Sequence, residues 1–307
     1  MVLAAVFLAL MGNWGYLPGA PEEPEHLSDS QVMLTLLDGE ETVEISLLDY
    51  LTGAVAAEMP ASFRPEALRA QAVALRSYVL YKLRHHTKKH GEDICSKSSC
   101  CAAWKGPAAL REKWGEDYDT YIYKIRQAVW DTDGLYLSYE GQPAQAVFHA
   151  SSAGMTESSE TVWGSPVPYL VSVWSPETEE NVRGFVQETE VTRAEFAEKF
   201  TSAHPEAVFP DGAPLAGELV YSDTGRLSSA RVGGVVTDGI ELRKLFSLRS
   251  AAVSIREEGD RVIFTTRGYG HGVGMSQYGA NLMAAEGASW RDILAWYYPG
   301  TEVRALK

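Results

Sequence analysis

Apolar residues recur every three or four positions from Leu47 to Leu83, with one break at Met59-Pro60. That spacing belongs to helices with one buried face. A first helix is expected from Ser46, with Asp49 three residues on in a capping-box arrangement. Its stripe runs through Leu47, Leu51 and Val55 and ends on Glu58, an ionisable group in apolar company. Pro60 stops it, because the residue before a proline avoids helical geometry. A second helix is expected to start between Ser62 and Pro65, burying Leu68, Ala72, Leu75, Val79 and Leu83, with Arg69 and Arg76 sharing another face. Upstream, the β-prone runs "VMLTLL" and "TVEIS" flank Asp38-Gly39, a hairpin signal.

Downstream the pattern becomes mixed. Pro107 to Trp130 reads as helix, and "GLYLSY" and "AQAVFHAS" read as strands. Between Val186 and Phe264, short strands and glycine turns surround a helix boxed by Thr192 and Glu195, and "GIELRKLFSL" reads as a short helix. A strand then enters the glycine-rich stretch "RGYGHGVGMSQYGA". A helix follows from Ser276, breaks at Gly287 and restarts at Ser289 with Asp292. The fold expected is a single α+β domain, open to division into two lobes around a cleft, with helices and short mixed or antiparallel sheets.

Composition narrows the function. Of 307 residues, 45% are hydrophobic and 22% charged, enough for a sizeable core. The net charge of -14 argues against a nucleic-acid partner, whose phosphates it would repel. The apolar run Met1 to Met11 is too short to span a membrane and has the length of a signal-peptide core. It is followed by "PGAPEEPEH", which has no packing pattern, so a signal anchor or truncated membrane segment over residues 1–18 is preferred to a buried N-terminal helix. A linker over 19–30 and a folded domain over 31–305 complete the division. An anchor of this kind implies an extracytoplasmic workplace.

Four stretches carry candidate chemistry. A glutamate on an apolar stripe is costly unless paired or protonated, so Glu58 is either a proton donor with a raised pKa or the ion-pair partner of Arg69 or Arg76. His90, Cys95, Cys100 and Cys101 fall within one short loop and would satisfy tetrahedral zinc; the competing reading is a disulfide, which leaves one cysteine over. His149, Ser151 and Ser152 sit at a strand-to-turn junction without a nucleophile elbow. Glycines at 268, 270, 272 and 274 match no dinucleotide or phosphate-loop spacing, but they let the backbone bend sharply or approach a ligand closely, with His271, Gln277 and Tyr278 offering hydrogen bonds.

Three of these stretches, "AAEMPASFRPEALRAQAVALRSY", "FHASSAGMTESSETVWGSPVPYLVSV" and "GYGHGVGMSQYGA", together resemble the stage II sporulation protein D family, of the SpoIID/LytB group. The match runs in order from about Val32 to Thr301. The resemblance implies a lytic transglycosylase that cuts peptidoglycan between N-acetylmuramic acid and N-acetylglucosamine, preferring strands already stripped of peptide. It implies Glu58, of the Glu-Met-Pro motif, as the catalytic acid, and a structural zinc at His90, Cys95, Cys100 and Cys101, with Cys100 where the family carries a histidine. It implies anchoring in the mother-cell membrane, and a partner amidase and membrane engulfment proteins as company. Arg69, Arg76, His149, Ser151, Ser152, His271, Gln277 and Tyr278 are the expected substrate-binding residues. The alternative is a glycan-binding enhancer of an amidase that does not itself cut. A zinc hydrolase ranks last, since three thiolates and an imidazole leave no position for water.

Overall fold

The hairpin forms where the turn chemistry puts it. The computed structural model describes residues 26–85, 91–98 and 100–307. In it β1 (Met33–Asp38) and β2 (Glu41–Ser46) pair antiparallel across Gly39-Glu40, with Gly39 at φ 65°. α1 (Leu47–Glu58) follows, its start capped by Ser46 Oγ, which accepts from the Asp49 N–H. α2 (Pro65–Arg84) begins on its proline, which lacks the N–H that a first-turn position would leave unused. β3 (Ile94–Cys95) then adds to β1 in parallel.

The helix expected over 107–130 is two helices. α3 (Pro107–Trp114) ends at Gly115, whose φ of 54° no helix can continue, and a 3-10 turn leads into α4 (Tyr118–Trp130). β4 (Leu135–Tyr139) and β5 (Gln142–Pro143) pair next. The strand expected over "AQAVFHAS" shrinks to β6 (Phe148–His149), since the Ala146 and Val147 N–H groups turn back onto Ala144 and Gln145 and the Gln145 N–H goes to the Tyr169 hydroxyl rather than to a partner strand. α5 (Ser159–Trp163) closes this half.

Residues 186–267 form an inserted lobe with its own core. β7 (Val186–Thr192) leads into α6 (Arg193–Ala203), boxed by Thr192 and Glu195 as expected. β8 (Ala216–Tyr221), β9 (Leu227–Val232) and β10 (Val235–Thr237) make one antiparallel sheet. α7 (Gly239–Leu245) follows, and β11 (Val253–Glu258) and β12 (Arg261–Arg267) complete a second sheet with β7. Phe196, Phe200, Phe246 and Phe264 stack at the centre of this lobe. The chain then returns to the main lobe through β13 (Met275–Ser276), α8 (Gln277–Ala285), α9 (Trp290–Tyr297) and β14 (Glu302–Ala305), which pairs with β4.

α2 is the axis of the main core. Leu68, Ala72, Leu75 and Val79 are buried, and the helix packs on α1, α4, α8 and α9. Arg76 is fully buried; its Nε and Nη2 donate to Asp29 at 2.7 and 2.5 Å, and its Nη1 donates to the Leu135 carbonyl at 2.7 Å. Asp29, in the stretch that reads as linker, starts a short 3-10 turn. The described chain is folded from its start, with Leu27 N–H donating to Leu306 O. The expected membrane segment lies outside the described residues, and no described helix is long and apolar enough to cross a membrane.

Candidate active-site cleft

Glu58 is the last residue of α1, half-buried at the break made by Met59-Pro60. Its Oε1 accepts from the Ala103 N–H at 2.7 Å, and the Gln277 side chain also hydrogen-bonds to it. Burial raises its pKa above the usual carboxylate range, against the lowering effect of these two donors. Its place at the negative end of the helix dipole acts in the same direction as burial. The ion-pair alternative is excluded. Arg69 pairs with Glu66 and, at 2.5 Å, with Asp131, while Arg76 is committed to Asp29. Neither arginine is among the described residues that line the cleft.

The cleft has a volume of about 450 Å³, and Glu58 is the one carboxylate among its described lining residues. Cys100 and Cys101 stand on one side, and His149, Trp163, Arg243 and His271 on the other. The parallel pairing of β6 with β13 joins the second and third sequence motifs, with Met275 opposite Phe148 and Ser276 opposite His149. Nothing in the spacing of either motif announces that pairing.

His149 and His271 lie 5.7 Å apart, centre to centre, and both rings are kept neutral. Burial, with Arg226 and Arg243 nearby, lowers His271 to about 4; burial and the neighbouring His271 and Arg226 push His149 well down too. Nδ1 of His149 faces the Val273 carbonyl at 3.2 Å and so carries the proton. Its Nε2 is then a lone pair, buried and without a partner among the described residues. Nδ1 of His271 accepts from the Val273 N–H at 3.1 Å.

Ser151, Ser152, Gln277 and Tyr278 are not among the residues that line the cleft. Ser151 and Ser152 are buried behind the cleft, where the Ser152 N–H donates to Glu177 at 2.9 Å and Ser151 bridges to Tyr269. Tyr278 packs edge-on against Phe63 at 5.0 Å. Gln277 is buried and hydrogen-bonds to Glu58, with its Nε2 3.4 Å from the Gln71 amide oxygen. The glycine-rich stretch closes on protein more than on open space. A Cβ on Gly270 would lie 2.7 Å from that of His149, and one on Gly272 only 2.0 Å from Arg226. Positive φ angles of 118° and 86° also exclude other residues at these two positions. Tyr78, Trp163, Arg243 and Tyr269 line the cleft without having been singled out.

Sγ of Cys95 lies 3.5 Å from that of Cys101, which is 4.0 Å from that of Cys100. Tetrahedral zinc with bonds of about 2.3 Å holds its sulfurs roughly 3.8 Å apart. No disulfide joins Cys95, Cys100 and Cys101, so the disulfide alternative does not form among the described residues. Lys82 Nζ sits 3.3 Å from Cys101 Sγ, a cation suited to thiolate charge. His90 lies outside the described residues.

A family model described as Stage II sporulation protein matches residues 39–139. Stage II sporulation protein D of Bacillus subtilis (strain 168) is 38% identical over 262 residues, covering 84% of this chain and 74% of that protein. Its counterpart from Bacillus amyloliquefaciens is 36% identical over 262 residues, with the same coverage of 84% and 74%. The amidase enhancer of Bacillus subtilis (strain 168) is 28% identical over 299 residues, covering 82% of this chain and 40% of that protein. With these motifs on one cleft and this degree of identity along most of its length, the chain belongs to the stage II sporulation protein D family.

Proposed function

We propose that this chain is a lytic transglycosylase of peptidoglycan, cutting the glycan strand between N-acetylmuramic acid and N-acetylglucosamine. The observation that carries the reading is the solitary acid: Glu58 is raised in pKa by burial and has no second carboxylate beside it among the described lining residues. Hydrolysis by two carboxylates needs the second at about 5–9.5 Å. One carboxyl group suffices if the sugar supplies its own nucleophile.

Protonated Glu58 donates to the glycosidic oxygen as the bond to the anomeric carbon breaks. The 6-hydroxyl of the muramic residue attacks that carbon and passes its proton to Glu58, which returns to the acid form. No water is consumed, and the product ends in a 1,6-anhydro ring. The Ala103 N–H and Gln277 orient the carboxyl through both stages. His149 Nε2, an acceptor only, suits a hydroxyl of the bound sugar. Zinc held by Cys95, Cys100, Cys101 and His90 would supply structure, fixing the segment that presents Ala103.

In this reading the protein works outside the cytoplasm, anchored through its N-terminal apolar run, alongside an amidase that strips peptides and the membrane proteins of engulfment. The second reading, a glycan-binding amidase enhancer, rests on the relative of that name. The two part on one experiment. Glu58→Gln keeps the shape but cannot pass a proton, so release of anhydro products from purified stripped glycan is expected to fall about 10²–10⁴-fold with binding retained. Release at the parent rate would end the catalytic assignment, and no release by the parent protein would favour the enhancer.

A further inference from the structure

Arg243 is a cation facing the cleft without an anion. It lies on α7 of the inserted lobe, half-buried, and its Nε donates to the Leu248 carbonyl at 3.3 Å, which sets the plane of the guanidinium. No carboxylate among the described residues pairs with it. The neighbouring cation, Arg226, is already met by Glu157 at 3.1 Å. Burial weakens the hold of Arg243 on its proton, a sign of a charge short of solvation. The acids beside it are engaged elsewhere: Glu241 with His204 and Thr237, and Asp238 with the Glu241 N–H. Arg243 and Tyr269 line both the catalytic cleft and an adjoining groove of about 690 Å³, so they stand where the two meet.

The opposite demand comes from His149, whose unpartnered Nε2 can only accept. A ligand that satisfies both must bring a carboxylate for Arg243 and a hydroxyl or amide N–H for His149. An acid-substituted sugar has both. We propose that Arg243 binds the carboxylate of an acidic sugar unit and so selects the strand. This rests on the transglycosylase reading, under which the group is the free lactyl carboxylate of a muramic residue whose peptide has been removed. On a peptide-bearing strand that carboxyl is an amide, and the charge-assisted bonds are lost.

The test uses the full chain carrying Glu58→Gln, so that strands bind without being cut. Affinity is measured for stripped glycan oligomers, for the same oligomers with the lactyl carboxyl amidated, and for peptide-bearing oligomers. Stripped strands are expected to bind roughly ten- to a hundred-fold tighter than amidated ones, the range of a charge-assisted pair. Adding Arg243→Gln should bring that ratio to about one, and Arg243→Lys should restore part of it. Chitin oligomers, which lack the carboxylate, should bind all three variants alike and so report an intact groove. Discrimination that survives Arg243→Gln, or is missing before it, overturns the proposal. Peptide-bearing strands binding as tightly as stripped ones would assign the carboxylate to the stem peptide and overturn the lactyl assignment. The ratio does not depend on turnover, so failure of the transglycosylase reading would register separately, as anhydro product insensitive to Glu58.

Discussion

Glu58 was legible because it breaks a local rule, an ionisable group placed where the helical stripe calls for an apolar one. Its chemistry leaves a trace in stability. Its folded pKa is raised above the unfolded value, so the carboxyl favours folding at low pH and loses that contribution as pH rises through the folded pKa. The amide of Glu58→Gln has no such loss. The variant should match the parent in acid and become the more stable of the two as pH rises into the neutral range. Paired urea melts across that range check the sign. A variant less stable than the parent at neutral pH would mean that Glu58 has a cationic partner after all. Arg243 was not legible in the same way: "ELRKL" reads as an ordinary short helix, and only the assembled lobe shows that its guanidinium faces the cleft.

At the scale of elements, helices and caps read well, because their signals lie within a few residues. Ser46, Thr192 and Ser289 all cap as the spacing implies. The two-residue pairing of β6 with β13 joins residues more than a hundred positions apart, and no local signal encodes it. The cysteine segment falls between these cases. Its cluster of thiols was readable as a candidate metal site; its contact with Glu58, through Ala103, was not. Protein prepared without added metal is expected to carry about one zinc per chain, the content of a single closed site. Its removal by a chelator should lower Tm and also weaken turnover, since the segment presenting Ala103 would lose its anchor. Disulfide in place of metal, or full activity after complete metal removal, would dismiss that link.

For the whole molecule, the single domain carries two separate cores, the two-lobe form the sequence left open, joined where Glu157 of the main lobe meets Arg226 and Thr224 of the inserted one. Both partners of the ion pair are nearly inaccessible, with side chains 2% and 8% exposed, so Glu157→Gln leaves a buried charge uncompensated. A loss of about 3–5 kcal/mol is expected in urea unfolding. A change below about 1 kcal/mol would mean that water reaches the junction. The inserted lobe leaves and rejoins the main lobe on adjacent antiparallel strands, with Arg267 opposite Val186 and Gly268 N–H donating to Phe185 O at 2.9 Å. Its two ends are therefore already as close as the ends of a tight turn. Evolution can lengthen, shorten or exchange everything between them without rethreading the helices that hold the acid. Glu58 belongs to the main lobe and Arg243 to the inserted one, so under the transglycosylase reading the bond-breaking step and the choice of strand can change independently of each other.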